Sequence, residues 1–222
     1  MPGRTLKTAR RLGLAALGVL GLLLSTVEPV TAHVRADDPP PGQFGMTVES
    51  VNGTGCPFGT ATVTPNGDKT AFTVAYSNYS AQAGGGVPAL QARASCLLTV
   101  SVSVPQGFTF GINRTTFRGF ADLAPGATGT LSTQYWFVGQ AQTGQIRRDY
   151  SGPFTDNWQA TDEIPLATMQ WMPCRANYPL NINSQLLVRA GSQNPKTTSV
   201  MTMDATDSEI TTLYNIAWRR CG

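Results

Sequence analysis

Residues 96–104 read CLLTVSVSV, and from Leu98 onward they alternate apolar and polar side chains. This is the period of a β-strand, because successive side chains of a strand point to opposite faces of its sheet. The polar face carries the hydroxyl groups of Thr99, Ser101 and Ser103. The apolar face carries Cys96, Leu98, Val100, Val102 and Val104. The stretch therefore predicts a strand that buries one face and keeps the other toward water.

The same alternation recurs on both sides of this strand, in Phe72–Tyr76 and in Leu180–Val188. The segment Ile210–Trp218 also fits a helix, but its Thr, Ile, Tyr and Trp content favours a strand. Glycine, proline and asparagine separate these segments, as is typical of turns. About ten short strands at this spacing predict one all-β domain over residues 44–222, an antiparallel β-sandwich or jelly roll. The remaining strand candidates are Phe108–Ile112, Thr128–Val138, Ala167–Trp171 and Thr198–Met203.

The amino-terminal 36 residues have the three parts of a secretion signal. Four basic residues precede the apolar run Leu12–Leu24, and small residues follow that run. Cleavage is expected after Ala36, with Ala32 as the alternative site, and the pair Arg10-Arg11 leaves twin-arginine export open beside the general route. Residues 37–43 then form a flexible proline-rich leader. The apolar run is too short to cross a bilayer, which takes about 20 residues, so the mature chain is expected to be extracellular and without a membrane anchor.

Five of the 16 basic residues and one of the 13 acidic residues lie within residues 1–36. The mature chain therefore carries 11 basic and 12 acidic residues. Nucleic-acid binding needs a clustered basic surface, so no nucleic-acid partner is expected.

The single histidine, His33, lies in the predicted signal. A Ser-His-Asp relay, a Cys-His pair and a multi-histidine metal site each need imidazole inside the fold. Cleavage after Ala32 would expose His33 as a terminal copper ligand, but the second histidine of such a site is missing from the chain. The domain is therefore expected to lack these kinds of chemistry.

Four cysteines lie in the predicted domain: Cys56, Cys96, Cys174 and Cys221. An even number in an exported chain indicates two disulfides, for which three pairings are possible. Pairing within each half of the chain, Cys56–Cys96 and Cys174–Cys221, is favoured because it links neighbouring strands.

Several sequence blocks together resemble a family of small secreted cysteine-containing proteins of bacteria and filamentous fungi, known as a domain of unknown function. The blocks are GTGCPFGTATVTPNG (53–67), VSVPQGFTFGINRTTFRGFADLAPGATGT (102–130), GPFTDNW (152–158), LNINSQLLVRAGS (180–192) and TSVMTMDATDSEITTLYNIAWRRC (198–221). Arg175 departs from the pattern, which has a glycine at that position. The resemblance implies export and a cysteine framework, and it supplies no catalytic residues.

Carboxylates are the remaining candidates for acid–base chemistry, since glycoside hydrolysis needs only two of them. One acidic cluster surrounds Trp158 and consists of Asp156, Asp162 and Glu163; Trp158, Trp136 or Tyr135 would hold the sugar. The second cluster consists of Asp204, Asp207 and Glu209. A carboxylate-dependent extracellular glycan hydrolase is therefore the alternative function.

The second acidic cluster also concentrates oxygen ligands of the kind that calcium accepts. It lacks the EF-hand pattern, and Thr206 with Glu209 fits a capping box equally well. A plain turn is the favoured interpretation, so no cofactor is expected, with calcium at Asp204, Asp207 and Glu209 as the alternative.

A secreted non-catalytic protein of unknown role is the favoured interpretation, with glycan or cell-envelope binding as the candidate activity. Trp158 lies between polar residues after Gly152-Pro153, which predicts an exposed ring in a loop. Asp156, Asn157 and Gln159 beside that ring would bind sugar hydroxyls. The sequence thus predicts a secreted β-sandwich protein whose partner is a polysaccharide or another component of the cell envelope.

Overall fold

The computed structural model describes residues 36–143, 145–192, 195–203 and 212–222. These residues form twelve β-strands and one short 3₁₀ turn at Ala89–Ala92. The strands are β1 (Gly45–Asn52), β2 (Ala61–Pro65), β3 (Ala71–Tyr76), β4 (Tyr79–Ala83), β5 (Arg93–Ser103), β6 (Phe108–Leu123), β7 (Thr128–Phe137), β8 (Ile146–Ser151), β9 (Phe154–Glu163), β10 (Leu180–Arg189), β11 (Ser199–Met203) and β12 (Thr212–Arg220).

The strands form two antiparallel sheets that pack as a sandwich, which confirms the predicted fold class. The five-stranded sheet has the order β1-β5-β10-β7-β8. The second sheet has the order β2-β3-β12-β6-β11-β4, and β9 also pairs with β6. Strand β6 is long enough to pair with β9 along one edge while β11 and β12 share its other edge.

The core lies between the inner faces of the two sheets. The apolar positions of β5, from Cys96 to Val102, are buried as the alternation predicts. Aromatic rings meet them from the second sheet; the ring centroids of Phe110 and Phe137, for example, lie 5.3 Å apart across the sandwich. The Tyr79 hydroxyl lies 3.1 Å from Ser184 Oγ of the opposite sheet. Polar atoms thus also link the two layers.

The two disulfides have the favoured pairing. Cys56–Cys96 joins the β1–β2 connection to the inner face of β5, and both residues are fully buried. Cys174–Cys221 joins the segment before β10 to the residue after β12. Sequence separations of 40 and 47 residues give each bridge a stabilisation of about 4 kcal/mol if its effect is restriction of the unfolded chain.

Residues 164–179 contain no strand, so the predicted strand Ala167–Trp171 is wrong. Thr168 N donates to Pro165 O at 2.9 Å, which closes a turn, and Trp171 makes only an isolated bridge to Gly111. A Cβ atom on Gly111 would lie 2.5 Å from Gln170 O. The segment therefore contacts β6 through single hydrogen bonds, such as that from Met172 N to Phe110 O at 3.0 Å, instead of through a strand ladder. The strand expected over Ile210–Trp218 is confirmed from Thr212, where the described residues resume.

Arg175, the departure from the glycine pattern, has a φ of 62°. This left-handed conformation favours glycine and costs other residues about 1–2 kcal/mol. The turn is retained in this chain, with Ala176 N donating to Pro173 O at 3.3 Å. The turn therefore requires a positive φ at this position, which a glycine would adopt without strain and which Arg175 adopts with a loss of stability.

The residues expected to form a flexible leader contact the domain. Asp37 N donates to Trp218 O at 2.9 Å, and Arg220 N donates to Asp37 Oδ2 at 2.7 Å. Lys69 Nζ donates to Pro40 O at 2.8 Å. These bonds attach the segment to the domain at Asp37 and at Pro40.

We expect the protein to lose stability steeply above about pH 10. Burial raises the pKa of the hydroxyl groups of Tyr79, Tyr135 and Tyr214 above the usual value, so the folded chain keeps protons that the unfolded chain releases. Stability is then complete below the unfolded pKa and falls as pH rises above it. Three such groups give a slope of about 4 kcal/mol per pH unit. Urea unfolding between pH 8 and pH 11 measures this slope, which Tyr79→Phe should reduce by one third.

A pH-independent free energy of unfolding across this range would contradict the buried state of these hydroxyls.

Candidate functional site

Trp158, the predicted exposed platform, is a buried residue of β9. Its side chain is 3% exposed, and its ring centroid lies 5.6 Å from that of Tyr150 on β8. Its partner across β6 is Gly119, where an added Cβ would lie 2.6 Å from the indole ring. The expectation of an exposed ring is wrong, because Trp158 fills the space where the edges of the two sheets meet.

The polar residues beside Trp158 are exposed, but they do not surround the ring. Asn157 and Gln159 alternate with Trp158 along β9 and so point to the opposite face of the sheet. Gln159 Oε1 accepts from Arg118 Nε at 2.9 Å, and Asp156 Oδ1 accepts from the Asn157 backbone N–H at 2.7 Å. The predicted group of four is therefore divided between two faces. Ligand binding by Asp156, Asn157 and Gln159 stays a prediction.

Asp156 and Asp162 of β9 lie too far apart to form a catalytic pair. Asp156 and Asp162 are six residues apart on one strand, or roughly 20 Å, whereas paired glycosidase carboxyls lie about 5–9.5 Å apart. Asp162 lies 3.7 Å from Arg148, and Glu163 lies 3.7 Å from Arg114. These carboxylates serve as charge partners of exposed arginines.

The acidic stretch with Asp204, Asp207 and Glu209 lies outside the described residues. Within the described part of the chain, no three side chains of the metal-binding types form a group that could hold an ion. Calcium binding at the acidic stretch stays a prediction.

Part of the outer face of the five-stranded sheet carries uncharged and mostly polar side chains, and we call this part the amide face. These side chains alternate with the buried residues of four strands and are partly or fully exposed. The amide face consists of Ser50 and Asn52 on β1, Ser95, Leu97 and Thr99 on β5, Asn181, Asn183 and Gln185 on β10, and Gln134 and Trp136 on β7. Exposed Glu49 and Arg93 lie beside it on β1 and β5.

Trp136 is the aromatic residue of the amide face. It is partly exposed, between the buried side chains of Tyr135 and Phe137, and it lies directly opposite Asn181 on β10. Its indole N–H has no partner among the described residues and is not a buried atom. The ring and its donor are therefore both open to a ligand.

The amides beside Trp136 have unused hydrogen-bonding groups. Among the described residues, the side chains of Gln134, Asn183 and Gln185 have no partner in the chain. Thr99 Oγ1 donates to Asn181 Oδ1 at 2.8 Å, which fixes the orientation of that amide. Amides and hydroxyls next to an aromatic ring are the groups that bind a neutral polar ligand.

A charged pair on β8 limits the amide face along β7. Arg147 donates to Asp149 at 2.8 Å, and Thr130 Oγ1 donates to the same carboxylate at 2.5 Å. The bonds from Arg147 and Thr130 hold the pKa of Asp149 below its usual value. Thr130 and Ser132, which continue the outward positions of β7, are 2% and 4% exposed. The open part of β7 therefore ends at Gln134.

A cleft of about 480 Å³ lies beside the loop after β7, at the β8–β9 edge. Arg148 and Asp162 in its wall lie 3.7 Å apart, and Gln170 Nε2 donates to Ala141 O at 2.7 Å. The charged and amide groups of the cleft thus already have partners within the chain, whereas several amides of the amide face have none among the described residues.

The amide residues were missed because the alternation was used only to find the core. In LNINSQLLV, residues 180–188, the outward positions hold Asn181, Asn183 and Gln185. Outward positions of a strand commonly carry charged residues as well, so three uncharged amides in alternation are the signal that could have indicated this face.

The structure defines a disulfide-bonded antiparallel β-sandwich whose five-stranded sheet carries an uncharged region on its outer face. Residues 43–221 match the family described as domain of unknown function DUF4360, and the chain belongs to this family. A relative from the filamentous fungus Arthroderma benhamiae, described as an uncharacterized secreted protein, is 31% identical over 196 residues, or 84% of this chain and 79% of the relative. The resemblance inferred from the sequence blocks is confirmed.

Two solved structures are similar at low TM-scores. One is a CBM61 module in complex with β-1,4-galactotriose, with a TM-score of 0.30 and 9% identity over 83% of this chain and 91% of that chain. The other holds the CBM22-1 and GH10 modules of a Clostridium thermocellum xylanase with xylohexaose, with a TM-score of 0.25 and 11% identity over 77% of this chain and 28% of that chain. Similarity at this level carries no argument about function.

None of the described residues belong to a helix long and apolar enough to span a membrane.

We expect Trp158→Ala to destabilise the fold by about 3–5 kcal/mol, because it leaves a cavity where the sheet edges meet. Gln159→Ala is the matched control on the exposed face of the same strand and should change stability by less than about 0.5 kcal/mol. Urea unfolding of both variants measures the difference. Equal stability of the two variants would contradict the buried position of Trp158.

Proposed function

We propose that this protein binds a neutral polysaccharide outside the cell through the amide face. The observation that carries the proposal is the partly exposed ring of Trp136 beside amides that have no partner among the described residues. Sugar C–H groups stack on an indole ring, and sugar hydroxyls both donate to and accept from amide groups.

The charge distribution favours a neutral ligand. The ten residues of the amide face carry no charge, and the nearby Arg147 and Asp149 neutralise each other at 2.8 Å. A charged ligand on these ten residues would lose hydration without gaining a partner of opposite charge among them, which is unfavourable. An uncharged sugar replaces its bonds to water with bonds to amides at little cost.

Extracellular location fits both the disulfides and the secreted relative. Cleavage after Ala36 would make the Asp37 nitrogen the terminal ammonium group. That nitrogen already donates to Trp218 O at 2.9 Å, so a terminal ammonium group there would keep this bond.

We expect the secreted protein to begin at Asp37, as measured by the intact mass of material recovered from the culture medium. A mass that corresponds to a start at His33 would contradict this cleavage site.

We expect Trp136→Ala to abolish retention on the insoluble neutral polysaccharide that binds the wild type. The candidates are cellulose, xylan, mannan, chitin and β-1,3-glucan, tested by pull-down and by affinity electrophoresis. The substitution removes the aromatic contact of the ring, which is worth about 1 kcal/mol or more. The remaining contacts of the ligand are single hydrogen bonds. The melting temperature should fall only slightly, because the ring is partly exposed.

Phe58→Ala is the control for this experiment, since Phe58 is a 93% exposed aromatic residue of the β1–β2 turn that does not belong to the amide face. Asn157→Ala tests the earlier candidate residues on β9. Both variants should be retained like the wild type. Loss of retention in Asn157→Ala but not in Trp136→Ala would move the site to β9, and release of soluble sugar by the wild type would contradict binding without catalysis.

A further inference from the structure

We infer that the bound glycan lies across the strands of the five-stranded sheet, from Trp136 toward Ser50, and that the ligand is a linear neutral chain longer than a disaccharide. The inference rests on the proposed function, because it specifies the ligand of the same amide face. The juxtaposition that carries it is one row of four residues on four neighbouring strands.

The row is set by strand register. Trp136 pairs with Asn181, Asn181 pairs with Thr99, and Thr99 pairs with Ser50. Neighbouring strands lie about 4.8 Å apart, so the row spans roughly 14 Å from β7 to β1. A ligand that contacts both ends must therefore extend over several sugar units.

At the end that holds Trp136, the row is bordered by the loop after β7. Pairing between β7 and β8 ends at Thr133 and Ile146. Beyond that point Thr143 lies along the edge of β7, where its backbone N donates to Tyr135 O at 3.2 Å and its Oγ1 accepts from Tyr135 N at 3.1 Å. At the other end, β1 is the edge of the sheet, and Ser50 is partly exposed there.

The direction along β7 is closed after Gln134. The next outward positions, Ser132 and Thr130, are buried, and the carboxylate of Asp149 accepts the Thr130 hydroxyl proton at 2.5 Å. A glycan that followed β7 from Trp136 would meet the Arg147–Asp149 pair. A glycan that crosses the strands contacts the uncharged side chains of the row and meets a charged residue only at its β1 end, where exposed Glu49 precedes Ser50.

The centre of the row is prearranged for hydroxyl groups. Thr99 Oγ1 donates its proton to Asn181 Oδ1 at 2.8 Å. The Asn181 Nδ2 group is then left to donate, and Thr99 Oγ1 is left to accept. Two adjacent groups of opposite hydrogen-bonding type match the neighbouring hydroxyls of a sugar ring, and fixing them beforehand lowers the entropy cost of binding.

The test compares chain length and row position. Titration calorimetry with cello-, xylo-, manno- and β-1,3-gluco-oligosaccharides of two to six units measures the dissociation constant. For the series that binds, the affinity should rise at least tenfold from the disaccharide to the tetrasaccharide and then level off. Asn181→Ala should weaken binding of the hexasaccharide about fivefold, the effect of one lost hydrogen bond.

Leu187→Ala is the matched control, because Leu187 is a partly exposed residue on the same face of the same strand that does not belong to the amide face. It should change the affinity less than twofold. Equal weakening by both substitutions would place the glycan along the strands, and affinity independent of length would indicate a single-sugar site. Either result overturns the inference while the proposed function stands. If neither the polysaccharides nor the oligosaccharides bind the folded wild type, both are overturned.

Discussion

Pairing along β6 is the constraint on which the rest of the structure depends. One edge of this strand holds β9, and the other holds β12 and β11 in succession. The inward residues of β6 also meet the five-stranded sheet, where Phe110 contacts Phe137 and Ile112 O accepts from the Tyr135 hydroxyl. Strand β6 therefore determines both the membership of one sheet and its contact with the other.

The pairing of β9 with β6 also decides what its polar residues do. Thr155 donates to Asp122 at 2.8 Å, Arg118 donates to Gln159, and Arg114 lies near Glu163. The outward side chains of β9 are thus used in contacts across the strand pair. The amide face has one such bond, from Thr99 to Asn181, and its other amides remain free. This difference between the two outer faces is the physical reason to assign binding to the five-stranded sheet.

Composition alone is a poor guide to exposure in an edge strand. Residues 152–159 contain glycine, proline and several polar residues, and this pattern predicts a loop. They nevertheless belong largely to β9, whose outer face is exposed and whose inner face holds Trp158. The Gly119 position opposite Trp158 supplies the space for the ring. That pairing joins residues 39 positions apart, and no local pattern reveals it.

The sequence by itself determined the β class, the alternation of the central strands and the number of disulfides. These properties depend on a period of two and on an even number of cysteines, both of which are local or countable. The tertiary structure alone decided which of the two tryptophans is exposed. Both lie on strands with alternating burial, but Trp136 is on the outer face of its sheet and Trp158 is on the inner face. The tertiary structure also decided that Asn181, Thr99 and Ser50 share a row with Trp136, since strand register depends on pairing between distant segments.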